Sequence, residues 1–455
     1  MKHFENNLNN HSANLLGLNS TGSSNETWEG NSITSIRIIC VILLRVGFIL
    51  VQVGSIPVEN VYIIIFRNVI EIAVAIFSYG FLGYYLSFGR KTIHGIVNYD
   101  GFIGFENANL NLASIGFSAC IIGTALTSSM LIARVRQLPL LTLTITLSAI
   151  YQPILICWIW SQYGWMKNYT LLEEKVSLKD HGGNLSIHVP TSIVGLLGAI
   201  FLGRRIMKVQ DIDPFSLGKE YVSGTVSGYF FVMIGLMGFH LPIDSHTRKD
   251  ISRISVNCIM AMGGGILTVA FIQMVKSKDI YKYWKVMRCL QGGLAGIVMV
   301  SSGIDLYNPA VTFGVSIFGA LLFFISSLIV RKSPLEDCCN IISVYLVCGT
   351  FGTPIPAIFT KNSVEVILIH VLWQLICLGT VIVVTCVVFV ILFCFFTCCG
   401  VLKNDFEEVN HERANILYGR LNWRSYYDKL FASSKNKEIS PNSNRSEMTQ
   451  TFNIF

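Results

Sequence analysis

The residues most able to do chemistry in this chain stand where charge and polarity are expensive. Arg45, Arg67, Glu71, His188, His240 and His370 fall inside long apolar stretches, and Asp180 stands just ahead of one. An ionisable group in such a stretch must be paired, hydrogen-bonded or set against a water-lined path. Arg67 and Glu71 are four positions apart, so they share a helix face and are expected to neutralise each other. Arg45 has no partner nearby in sequence. Each histidine reads either as a hydrogen-bonded structural group or as a group facing a path, where imidazole changes charge near neutral pH. The stretch Asp180-His-Gly-Gly-Asn-Leu-Ser-Ile-His188, with Pro190 behind it, reads as a broken helix start whose exposed amides Asp180 caps. Broken segments of this type line transporter sites. An ordinary loop-to-helix junction is the other reading of the same residues.

The elements that position these groups are membrane helices. The chain is 52% hydrophobic and 13% charged, where an ordinary soluble domain is about 25% charged. A helix needs about 20 apolar residues to cross a bilayer. Eleven such runs occur, near residues 34-54, 61-87, 110-133, 138-160, 185-203, 222-242, 254-275, 286-304, 309-330, 339-359 and 364-397. The fifth and tenth are interrupted by polar residues, Gly or Pro. The expected fold is an all-α membrane protein with eleven transmembrane helices. A polar N-terminal tail covers 1-33, the transmembrane domain 34-398, and a C-terminal tail 399-455.

An odd number of spans puts the two tails on opposite sides. With the N-terminus outside, the inner loops carry thirteen Lys and Arg and the outer segments nine, and eight more lie in the C-terminal tail. The asymmetry favours an extracellular N-terminus and a cytoplasmic C-terminus. The glycosylation triplets at Asn10, Asn19, Asn25 and Asn168 all fall outside in that arrangement. The polar opening has no apolar core behind a basic start, so no cleavable signal peptide is expected. The 13 cysteines lie almost entirely inside apolar runs or at their ends, which argues against a disulfide framework. Cys398 and Cys399, after Cys394, read as buried small hydrophobes or as sites of palmitoylation. The net charge of +7 is spread through short loops and the tail, as orientation in a bilayer requires, and implies no nucleic-acid partner. No H-E-x-x-H, G-x-S-x-G or similar spacing occurs, so no enzyme, metal site or cofactor is expected.

Read together, these stretches resemble the ammonium transporter (Amt/Mep/Rh) family in order and spacing. Leu44-Arg-Val-Gly47-Phe48 through Gln52, Gly54 and Asn60 resembles M-Q-x-G-F-A-x-x-E-x-G-x-x-x-x-K-N. Arg67-Asn68 with Glu71 resembles the following K-N-x-x-D, and Leu86-Ser-Phe-Gly89 matches L-S-F-G. Trp158-Ile-Trp160 with Gly164-Trp165 resembles W-x-W-x-x-x-G-W. Asp180 to Arg204 matches D-x-A-G-x-x-x-x-H-x-x-x-x-x-x-G-L-x-G-A-x-x-L-G-x-R, with His188 at the histidine. Gly235-Leu-Met-Gly238-Phe239-His240 resembles G-W-x-G-F-N, Val256-Asn257-Cys258 resembles V-N-T, and Gln291 through Gly296 resembles N-G-x-L-A-G-L. Val344-Tyr345-Leu-Val-Cys348-Gly349 resembles V-H-G-V-C-G. The resemblance runs from about residue 40 to 360, and its wording is nearer the Amt branch of animals than the Rh branch.

The resemblance implies a multi-pass plasma-membrane protein with an inverted 5+5 repeat, assembled as a homotrimer with one pore per subunit. It implies transport of ammonium or ammonia. Trp160 takes the vestibule aromatic, Phe239 the lower of two stacked phenylalanines, and Asp180 a structural acid near the mouth. The upper phenylalanine position falls at Ser118, with Phe117 beside it, and a vestibule serine falls at Ile243. The first pore histidine is His188; the second position holds Tyr345. Leu236 and His240 replace the Trp and Asn of the sixth-span motif. A phenol donates and accepts hydrogen bonds but does not shuttle protons near neutral pH as imidazole does. Aligned in this way, the Tyr345 hydroxyl is expected to meet His188 at hydrogen-bonding distance. The alternative function is a non-transporting paralogue serving as partner subunit, sensor or receptor.

Overall fold

The computed structural model describes residues 20–56, 61–104, 108–203, 222–242, 248–276, 283–333, 335–360 and 363–404. Ten helices among these are long and apolar enough to cross a membrane, and a shorter apolar helix joins them. In chain order they are α1 (Ser20–Ser55), α2 (Val61–Phe88), α3 (Leu110–Leu131), α4 (Gln137–Trp160), α5 (Asn184–Leu202) and α6 (Val222–Phe239). They continue with α7 (Arg248–Lys276), α8 (Trp284–Gly303), α9 (Pro309–Lys332), α10 (Ile342–Ile358) and α11 (Val364–Cys398). The eleven expected runs therefore each become a helix. One differs in form from the sequence reading, and another keeps the interruption read there. Helix α1 begins at Ser20, well ahead of its apolar part. The short one is α10, broken by a turn at Thr353–Pro354, since Pro removes a backbone donor and clashes with the preceding turn.

Two hairpins decorate the connections. Strands β1 (Lys91–Ile93) and β2 (Val97–Tyr99) pair antiparallel between α2 and α3, and β3 (Tyr169–Leu171) and β4 (Glu174–Val176) between α4 and α5. Asn168 is exposed at the start of the second hairpin. Asn10 and Asn19 lie outside the described residues, as do Ile243 and the chain beyond 404, and Asn25 falls in the first turns of α1.

The two halves, α1–α5 and α6–α10, meet through corresponding helices: α1 packs along α6, and α5 on α10. Small residues let the first pair approach. A Cβ at Gly47 would stand 2.6 Å from the Gly228 carbonyl oxygen, and one at Gly238 2.2 Å from Cys40 Cβ. Lipid supplies no hydrophobic drive between helices, so this closeness of backbone, with the dispersion contacts it permits, holds them together.

The intramembrane charges pair differently from the sequence expectation. Glu71 does not take Arg67. It takes Arg45 of α1 at 2.5 Å, and the same guanidinium donates to Asn68 Oδ1 at 2.9 Å. Asn68 in turn donates to Gln52 Oε1 at 2.7 Å, and Gln52 to Ser129 Oγ at 2.9 Å, so one buried chain of polar groups links α1, α2 and α3. Arg67 instead donates to the carbonyls of Ile132 (2.5 Å) and Val135 (3.0 Å), just past the end of α3. A cation there satisfies orphan carbonyls and complements the helix dipole. The i,i+4 spacing was sufficient for a pair on an isolated helix, but tertiary partners outcompeted it.

Candidate functional site

The site is built where α5 and α10 begin, and both begin in the same way. Each opens with a wide π-helical turn, Asn184–His188 in α5 and Ile342–Val347 in α10. Each is preceded by a buried aspartate eight positions ahead of its central residue (180 to 188, 337 to 345). Asp180 accepts from the amides of Leu185 and Ser186, both at 3.0 Å, and Asp337 from those of Ile341 (2.8 Å) and Ile342 (2.7 Å). The carboxylates thus occupy amides that the first helical turn leaves without partners. Two glycines make the α5 entry possible for separate reasons. Gly183 has φ +83, a left-handed conformation. Gly182 passes so close to His240 that a Cβ would stand 2.5 Å from its Nε2.

Both aspartates lie outside the apolar spans, and burial pushes both carboxyls up. For Asp337, burial outweighs the opposing amide hydrogen bonds and raises it to about 6. An unfolded aspartate titrates near ~3.9. Between those values the folded chain holds a proton that the unfolded chain releases. The resulting stabilisation is full below the unfolded value and is lost as pH rises through 6. About two pH units of difference correspond to ~3 kcal/mol. Thermal unfolding in detergent is therefore expected to show a stability gain on acidification from pH 7 to 4 that shrinks by about that amount in Asp337→Asn. An unchanged slope in the variant would remove Asp337 as its source.

The two central side chains meet. His188 and Tyr345 are buried, their rings 5.4 Å apart between centroids and inclined by 42°. The expected hydrogen bond between them is not formed: both His188 nitrogens and the Tyr345 hydroxyl have no partner. The phenol ring lies beside the imidazole, and its other ring neighbour is Phe48 of α1 at 6.2 Å. Ring packing, not the hydroxyl, fixes the pair.

Above them, Trp160 at the end of α4 lies 6.2 Å from Phe239 at the end of α6, inclined by 45°. Trp160 Nε1 donates to the Asp180 carbonyl at 2.7 Å. One residue therefore ties the aromatic pair to the helix that carries His188, by its carbonyl on one side and its carboxylate on the other. Among the described residues, the stacked phenylalanines implied by the resemblance do not form. Phe239 has Trp160 and His240 as its ring neighbours. Phe117 packs edge-on against Tyr79 at 4.7 Å, and the Ser118 hydroxyl bonds the Ser114 carbonyl at 2.7 Å.

His240 is the informative contrast to His188. Its Nε2 lies 3.1 Å from Ser301 Oγ and its Nδ1 3.5 Å from Cys258 Sγ. Ser301 gives its own proton to the Ile297 carbonyl at 2.8 Å. Nε2–H then donates to Ser301, and Cys258 S–H donates to Nδ1, so both nitrogens of this imidazole are occupied. His188 has no protein hydrogen-bond partner at either nitrogen. The resemblance set His188 apart as the pore histidine, but the partners of His240 were not foreseeable from the residues around it. Sequence reasoning passed over Asn184, buried one turn before His188 with both amide atoms unpartnered, and the role of Phe48 inside its Gly-Phe motif. Chemically, the arrangement offers aromatic faces that attract a cation, then a buried imidazole able to accept or donate a hydrogen bond.

Comparison with known proteins follows the same outline. Residues 33–416 match the model of the Ammonium Transporter Family, which takes in the apolar part of α1 and the whole of α2 to α11. Ammonium transporter Amt1 of Methanocaldococcus jannaschii is 24% identical over 318 residues, covering 69% of this chain and 75% of that protein. The solved structure of Sensor Amt Protein aligns with a TM-score of 0.69 at 21% identity, covering 85% of this chain and 98% of that one. Mep2 of Saccharomyces cerevisiae also gives 0.69, at 18% identity, covering 81% and 87%. At these identities the two structures speak for the fold. With the family model spanning most of its length, the chain belongs to the Ammonium Transporter Family.

Proposed function

We propose that this chain carries ammonium or ammonia across the membrane along a narrow path within each subunit, past Trp160 and Phe239 and between His188 and Tyr345. The observation that carries this reading is the free imidazole of His188, buried beside Tyr345 while its neighbour His240 is fully hydrogen-bonded. A buried polar group without a partner is costly, and a path for a small hydrogen-bonding solute gives that cost a use. Ammonium is collected by the aromatic faces, and K⁺ is refused because it has no proton to donate or lose. Expression in a yeast strain lacking its own ammonium transporters tests the reading. Growth on low ammonium supports it; a correctly inserted chain that restores none would favour the partner, sensor or receptor alternative.

The same proposal places the protein in the plasma membrane with its N-terminus outside and its C-terminus in the cytoplasm, following the excess of basic residues in the inner loops. It assembles as a homotrimer, as the resemblance implies, and carries glycans at Asn10, Asn19, Asn25 and Asn168. Its mass in mild detergent, before and after glycosidase treatment, tests both statements.

A further inference from the structure

The cysteines divide sharply by exposure. Of thirteen, ten are buried or half-buried, and the three exposed ones, Cys394, Cys398 and Cys399, cluster at the end of α11. Helix α11 has 35 residues, about 52 Å at 1.5 Å per residue, against a hydrocarbon core of ~30 Å. Even tilted, it carries its last turns to the edge of the bilayer. Its outward face is an unbroken apolar stripe: Val383, Val387, Ile391 and Phe395 recur every fourth residue and are each more than half exposed. The level of its end is fixed by backbone contacts. Arg136, in the charged connection between α3 and α4, donates its amide to the Leu402 carbonyl (3.1 Å) and its guanidinium to the Gly400 carbonyl (3.3 Å). Cys398 and Cys399 therefore stand level with that charged turn, where the apolar spans give way to polar chain. Cys394 lies one turn deeper, by ~6 Å.

The chain contains its own control. A second vicinal pair, Cys338–Cys339, precedes α10 close to the Arg134–Glu336 ion pair at 3.6 Å. There Cys339 is buried, and burial pushes its thiol up, away from the thiolate form that reacts.

We propose that Cys398 and Cys399 are S-acylated with long-chain fatty acids whose hydrocarbon tails lie along the Ile391–Phe395 stripe. The cysteine sulfur attacks the carbonyl carbon of a long-chain acyl thioester. The new sulfur–carbon bond forms as the donor's carbon–sulfur bond breaks, and the donor leaves as a free thiol carrying the cysteine proton. No oxidant or reductant takes part. The modification pins the end of α11, and the tail after it, to the bilayer surface. It is independent of whether the pore conducts, and it rests on the cytoplasmic placement of the C-terminus.

The test uses the full chain expressed in mammalian cells. Free thiols are blocked, thioesters are cleaved with hydroxylamine, and the released thiols are tagged with a maleimide polymer of known mass. The expected result is two hydroxylamine-dependent tags, lost in C398S/C399S and retained in C394S and in C338S/C339S. Absence of any hydroxylamine-dependent tag on the wild-type chain overturns the proposal. So does a tag that survives C398S/C399S. Labelling of Cys398 or Cys399 by an impermeant maleimide in intact cells overturns it separately, by refuting the orientation on which it depends.

Discussion

Tyr345→His is expected to raise ammonium uptake about tenfold over the native chain at equal surface expression, equivalent to ~1.4 kcal/mol off the barrier. A phenol keeps its proton through the neutral range, whereas an imidazole can exchange one there. A second imidazole at this position would relay protons or hydrogen bonds along with His188. It would also be shorter than the phenol that now lies against both His188 and Phe48. Because the Tyr345 hydroxyl has no partner in the protein, Tyr345→Phe should leave folding unchanged. Any loss of uptake in that variant then reports contact between the hydroxyl and the solute. His188→Ala should reduce uptake to background. A Tyr345→His chain that inserts normally and carries no more ammonium than the native one would remove these two side chains from the path.

The second large effect concerns stability. Glu71→Gln is expected to cost ~3–5 kcal/mol, the usual penalty for removing one partner of a buried ion pair. Arg45 and Glu71 are each about 2% exposed, and Arg45 Nε and Nη1 already lack partners. The substitution leaves a guanidinium in the bilayer interior that cannot shed its charge. Arg45→Gln should be milder, because a stranded carboxyl can take up a proton, and the double variant should recover most of the loss. Unfolding temperature and yield of monodisperse protein in detergent report the order. Equal damage from the two single variants would mean that the pair is held by the polar chain through Asn68 and Gln52, with charge playing little part.

The span pattern was legible because each helix repeats an apolar run of fixed length, and the bilayer leaves few alternatives to that reading. Asp180 as a cap was legible too, since an acid ahead of two glycines and a helix has few other uses. What failed to show was partner choice. Arg67 and Glu71 satisfied a local spacing rule, yet Arg45, twenty-six residues from Glu71, won the carboxylate. Neighbouring positions on a helix point ~100° apart, so the choice between Phe117 and Ser118 could not be made without the helix rotation that sets Phe117 against Tyr79. Nor does a histidine in a sequence announce whether its nitrogens are occupied. Ser301 and Cys258, which occupy those of His240, lie 61 and 18 positions away.

The shortness and the break of α10 bear on how the protein is made. A translocon admits a segment on its own apolar merit, and the seventeen positions of Ile342–Ile358, divided at Thr353–Pro354, offer little. Irregular backbone at membrane depth is tolerated only when other protein surrounds it. Helix α11, emerging directly afterwards and the most apolar of the described spans, supplies the insertion drive, and the first nine helices supply the walls. Tyr345 therefore reaches His188 among the last events of biogenesis, and a ribosome stalled before α11 is expected to leave His188 without the ring beside it.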